Sequence, residues 1–290
     1  MKNLTAALAL SISLIVAPVQ AEEHEQKADW FVEANLIGIL YHELGHALID
    51  VLELPVLGQE EAAVDVLTVM LIDRLFDEED ATDLAYEVAL GYVGGENGDP
   101  EDVEPKADCE GDDCKEDGSE EAESEEAESE PAFWDVHGTG DQRYYNTVCL
   151  FYGGDTDLRA EYATDMELPE ARAEKCEAEY DLANASWGPI LDRISGKGSS
   201  LKMLSTGNDL TIKIVTAAVA ELNLVLKLPV EVTVRVQTCG EVSAFYNPDK
   251  KEIIFCFEYT AYLQDLTDRG YFQGANTGKW KMSGMMNSDY

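Results

Sequence analysis

Positive charge is what this sequence has least of. Lysine and arginine number 20 against 59 aspartates and glutamates, a formal net charge of −39. A surface of that sign repels phosphate backbones and anionic lipid, so nucleic acid is excluded as a partner. Its first reading is solubility, and a preference for basic substrates is the weaker one. Long apolar runs are also few. One stands out, Leu4 to Val16, behind Lys2 and ahead of Val19-Gln20-Ala21. That order of a basic start, an apolar run and a small-residue cleavage site describes a signal peptide spanning 1–21 and cut after Ala21. The run is too short for a comfortable bilayer span, and no later stretch reads as a membrane helix. The expectation is a mature chain, 22–290, that is periplasmic or secreted and has no stable membrane span after cleavage.

Paired C-x-x-C clusters are missing too, which excludes a cysteine-rich structural zinc module. All six cysteines lie in the mature part. An even number in an exported chain suits disulfides. The expected partners are neighbours in sequence: Cys109 with Cys114, Cys149 with Cys176 and Cys239 with Cys256.

Histidine is scarce, with four in the chain, and two of them fall in one motif, His42-Glu43-Leu44-Gly45-His46. It sits within a strongly apolar stretch, Phe31 to Leu54. On a helix, residues four apart share a face, so both imidazoles reach one ion, and Glu43 is placed to take a proton from water at that ion. A catalytic zinc needs a third protein ligand. One class of site adds a glycine and a histidine shortly after the second histidine, but those positions hold Ile49 and Leu52. The other class adds a glutamate from a following helix. Glu61 fits, because Asp65 lies four residues on, on the same face, where it can hold the free ring nitrogen of a ligand histidine. Glu60 is the alternative ligand. The oxyanion of a hydrolytic intermediate also needs a donor, and the candidates are His137, Arg143, Tyr144 and Tyr145; His137 and Arg143 are taken forward as catalytic residues.

Around the motif, apolar spacing predicts helices over Ala28–Leu52, Gln59–Phe76 and Glu79–Val93. The stretch 94–131 is acidic, almost without apolar residues, and repeats Ser119-Glu-Glu-Ala-Glu as Ser124-Glu-Glu-Ala-Glu. Such a composition cannot bury enough surface to fold, and a disordered insert is expected there. Helical patterns resume from Asp141, from Leu168-Pro169-Glu170, over Trp187–Ile194 and over Asp209–Leu226, with a flexible break at Gly196–Ser200. Val230, Val232, Val234 and Val236 alternate with polar residues as a half-buried strand. Glu252–Glu258 is a second strand, with turn chemistry at Asn247-Pro248-Asp249 between them. Cys239 and Cys256 flank that turn and would staple a hairpin. A loosely held tail follows Gly270.

The segments His42 to Asp50 and Leu54 to Asp65 resemble the DUF4344 family of metallopeptidases. So do Gln142-Arg143-Tyr144-Tyr145-Asn146 with Cys149, Leu168-Pro169-Glu170-Ala171-Arg172 with Cys176, and the Cys239–Glu258 hairpin. The resemblance implies an α+β, zincin-like fold, mostly helical with a small sheet packed against the His-Glu helix. It also implies Zn2+ on His42, His46 and Glu61, Glu43 as the general base, and a peptide or protein substrate. In that family the hairpin precedes the His-Glu helix, whereas here it follows, which resembles a circular permutation. Two other functions fit the same residues: a catalytically silent zincin-like binding protein, and a metal-dependent amidohydrolase. Retention of Glu43 favours the peptidase.

Overall fold

A computed structural model of the chain describes residues 19–94 and 135–269. Residues 1–18 of the expected signal peptide (1–21), nearly all of the acidic insert with Cys109 and Cys114, and the tail beyond Arg269 lie outside the described residues, and 19–21 fall in the first helix.

The helix bearing the motif, α1, spans Val19–Val51. It starts well before Ala28 because no proline or glycine interrupts the chain between Val19 and Gly38. Around the motif, apolar residues are not confined to one stripe. Phe31, Leu36, Ile37, Leu40, Tyr41, Leu44, Ala47 and Leu48 are all buried, so α1 is enclosed on nearly every side, which its uncharged run requires. Helices α2 (Glu60–Leu75) and α3 (Glu78–Gly94) pack on it.

Four helices follow the insert: α4 (Gly140–Gly154), α5 (Ala160–Asp165), α6 (Glu170–Ala173) and α7 (Cys176–Ile194). The expected helix from Pro169 stops after one turn at α6. Conversely, the piece expected over Trp187–Ile194 is the end of α7, which runs through Pro189. The proline removes one helical hydrogen bond, but Trp187, Leu191 and Ile194 are buried and α7 packs on α2 and α4, so tertiary packing carries the helix across it. A disulfide joins Cys149 in α4 to Cys176 at the start of α7.

The last part holds β1 (Leu201–Met203), α8 (Leu210–Val225), β2 (Val232–Gln237), β3 (Ala244–Asn247), β4 (Glu252–Cys256) and α9 (Phe257–Asp268). The sheet order is β1-β2-β4-β3. Strands β1, β2 and β4 are parallel, and β3 runs antiparallel to β4. Three sequence expectations change here. The break at Gly196–Ser200 leads into the short strand β1. The second strand ends at Cys256, and Phe257 and Glu258 begin α9. The hairpin is β3–β4, not β2–β4: Ala244–Asn247 is itself a strand, and this extra reversal turns β4 parallel to β2. Every residue of β4 is buried, as a strand covered on both faces must be. The second disulfide, Cys239–Cys256, ties the loop after β2 to the end of β4. The sheet reaches α1 through β3 and β4. The architecture is α+β, a helical body with a small mixed sheet against the motif helix.

Candidate metal centre

Gly45, inside the motif, sets the distance between α1 and α2. A Cβ at this position would lie 2.7 Å from Val64 on α2, closer than side chains tolerate. Its absence lets the first turns of α2 come down against the histidine face of α1, and Glu60, Glu61 and Asp65 arrive together.

Glu61 is the focus. Its Oε2 lies 3.2 Å from His42 Nε2, 3.3 Å from His46 Nε2 and 3.2 Å from His137 Nε2. Zinc bound tetrahedrally at about 2.0–2.1 Å from nitrogen and oxygen donors sets its ligands about 3.3 Å apart. Each of these oxygen-to-nitrogen separations is therefore one that two ligands of the same zinc ion would have. The donor atoms of His42, Glu61 and His137 lie within 4.8 Å of one another. Burial by itself would raise the Glu61 carboxyl, but the hydrogen bonds from His137, His42 and His46 hold it far below the usual carboxylate range.

The other ring nitrogens are also held. His42 Nδ1 donates to Asp65 Oδ1 at 2.8 Å and His46 Nδ1 to Glu60 Oε1 at 2.7 Å. Such bonds fix the tautomer and aim Nε2 at a common point. Glu60 thus stands behind His46 and Glu61 in front of it, so two adjacent glutamates serve opposite nitrogens of one ring. Asp65 is itself enclosed. It accepts from Arg143 Nε at 2.8 Å and Nη2 at 2.7 Å and from the Tyr92 hydroxyl at 3.3 Å. The Arg143 guanidinium lies 4.0 Å over the Tyr92 ring. Burial would raise the Asp65 carboxyl, yet the His42 and Arg143 bonds bring it down to about 2.

This network changes the reading of the candidate oxyanion donors. Arg143 stands behind Asp65, its fork bound to that carboxylate, which in turn holds His42. Tyr144 donates its hydroxyl to the Met166 carbonyl, 3.0 Å away. His137 is placed on the loop before α4 and joins Glu61. Tyr92 carried no sequence signal, being one aromatic among the apolar positions of α3, and only the packing of α3 reveals its part.

Glu43 is buried, 4% exposed, on the same helix. Burial pushes its carboxyl up to about 7, against the opposing pull of His42 and His46. The nearby main chain of Tyr246 in β3 opposes the rise as well. Tyr246 is anchored in turn, its hydroxyl donating to Asp50 Oδ2 at 2.6 Å one face-repeat further along α1, where Lys251 also pairs with Asp50. The edge strand is thereby fixed against the motif helix at Asp50.

The DUF4344 family model, described as "Putative metallopeptidase", matches residues 12–191 and 208–283, and the chain belongs to this family. No curated protein and no solved structure matches it. The family description implies a metal, and the His/Glu cluster is suited to one.

Proposed function

We propose that the chain is an exported zinc-dependent peptidase, with His42, His46 and Glu61 holding the ion and Glu43 as general base. The observation that carries this is the convergence of the motif imidazoles on one Glu61 oxygen, beside a buried glutamate whose carboxyl is raised toward neutral pH. Zinc, when bound, supplies a Lewis acid for the scissile carbonyl and lowers the pKa of water toward 7.

The protein's own groups do the rest. Glu43 takes the proton of the attacking water and returns it to the leaving amine, work suited to a carboxyl whose pKa lies near the working pH. Asp65 and Glu60 keep the imidazoles aimed, and Arg143 with Tyr92 keeps Asp65 in place. The outer strand of the sheet, β3, offers the means to hold an extended peptide by strand addition. β3 packs on α1, the helix that carries Glu43, so a chain laid along β3 would run beside the general base. The two disulfides, and the lack of a membrane-spanning helix among the described residues, fit an extracellular or periplasmic setting.

The test is zinc content together with peptide turnover for the wild type and Glu43→Gln. Both proteins are expected to bind zinc stoichiometrically, with turnover lower by roughly 10²–10⁴-fold in the variant. Stoichiometric zinc with no turnover of a broad peptide library by the wild type would overturn the peptidase reading and favour a binding protein.

A further inference from the structure

His137 is outfitted like the two motif histidines. Its Nε2 lies 3.2 Å from Glu61 Oε2, the same separation as that of His42 Nε2. Its Nδ1 is held by a carboxylate, Asp135 Oδ1, at 3.1 Å, as Asp65 holds His42 and Glu60 holds His46. The same Asp135 oxygen accepts the His137 main-chain N–H at 2.8 Å, which fixes the loop as well as the ring. A carboxylate behind one nitrogen and a shared focus before the other is how ligand histidines are held. A donor to a substrate oxyanion would instead aim its N–H at the position where that oxygen develops. Here Nε2 is aimed at the oxygen on which the other two imidazoles converge.

We propose that His137 is a fourth protein ligand of the metal, binding through Nε2 in the resting enzyme. The inference rests on the zinc reading above. With His42, His46 and Glu61 it completes four donors, the number found in closed structural zinc sites, whereas catalytic sites keep one position open. With four protein donors a bound ion would have no open position, and His137 would have to yield, or the ion take a fifth ligand, for substrate to be hydrolysed. Its location suits that exchange: the ring is half-exposed and sits on a loop, whereas His42 is buried in α1.

Zinc K-edge X-ray absorption on the zinc-loaded full chain counts imidazole ligands directly. Three are expected in the wild type and two in His137→Ala, with zinc affinity of the variant reduced roughly tenfold or more. Acetohydroxamate, a small chelating probe of the open position, is expected to bind His137→Ala more tightly than wild type, because it no longer competes with the ring. Two imidazoles in the wild type, or weaker acetohydroxamate binding by the variant, would overturn the inference while leaving the zinc reading intact; weaker binding would make His137 a donor to the bound oxygen. A wild-type chain that takes up no zinc would overturn both.

Discussion

Asp65 bears more of the centre than any residue of the motif except the histidines. It receives a ring N–H from His42, two N–H groups from Arg143 and a hydroxyl from Tyr92. Removing its charge acts in two ways. The imidazole loses its orienting acceptor, which typically weakens metal binding by roughly 10–100-fold. Arg143, whose side chain is 18% exposed, loses its counter-charge, and an orphaned buried charge costs about 3–5 kcal/mol. Asp65→Asn is therefore expected to reduce zinc affinity and also to lower the melting temperature of the metal-free protein. Glu60→Gln makes the contrast. The Glu60 side chain is 48% exposed, and loss of a surface pair costs about 1 kcal/mol or less, so this variant should lose zinc affinity with little change in melting temperature. Equal destabilisation of the two by thermal denaturation would show that the Arg143–Asp65 pair is not the buried, demanding one.

At the scale of elements, the centre depends on how closely two helices approach. Glu60, Glu61 and Asp65 sit in the first turns of α2, where acidic side chains suit the helix N-terminus. They reach the histidines only because Gly45 lets Val64 seat against α1. Gly45→Ala gains helix propensity but forces a Cβ to 2.7 Å from Val64, and overpacking of this kind costs about 1–3 kcal/mol. The expected result is loss of zinc affinity with the helical signal in circular dichroism kept. Both the Cβ and a Cγ of Val64 lie 2.7 Å from that position, so Gly45→Ala combined with Val64→Gly, which removes both atoms, should recover part of the affinity. If the single variant binds zinc like wild type, helix spacing is not what sets the site. The edge strand is the second element that matters. The Tyr246 hydroxyl contact to Asp50 joins α1 to a strand almost two hundred residues away. The contact requires proximity in space and not in sequence.

At the scale of the molecule, metal binding and stability are linked through protons. Burial alone would lower the His46 pKa, but hydrogen bonds to Glu61 and Glu60 outweigh it and lift it to about 9 in the metal-free protein. Its folded pKa exceeds its unfolded value of about 6.5. The stabilisation from this ring is therefore fully present below about pH 6.5 and is lost as pH rises through about 9. The melting temperature of the metal-free protein is expected to fall across that window. Zinc must displace the ring proton, so titration calorimetry at pH 7 in buffers of different ionisation enthalpy should show proton release on binding. Zinc uptake with no proton exchange would contradict the carboxylate-held imidazoles.

Sequence alone determined the parts that depend on spacing. Helical period placed His42 and His46 on one face, the offset of Glu61 and Asp65 marked them as a pair, and the lack of a histidine at position 52 turned the search for a third ligand toward a glutamate. Alternating valines marked β2. Only the tertiary structure decided what depends on which surfaces meet. It made Ala244–Asn247 a strand and so turned β4 parallel to β2, because pairing partners are chosen by packing and not by local pattern. It carried α7 through a proline, bound Arg143 to Asp65 over a tyrosine that no motif marks, and stationed Glu60 behind His46. It also brought His137, more than ninety residues beyond the motif, to the oxygen on which the motif histidines converge. A lone histidine on a loop has no periodicity to read, so its meaning arises only from what the fold sets in front of it.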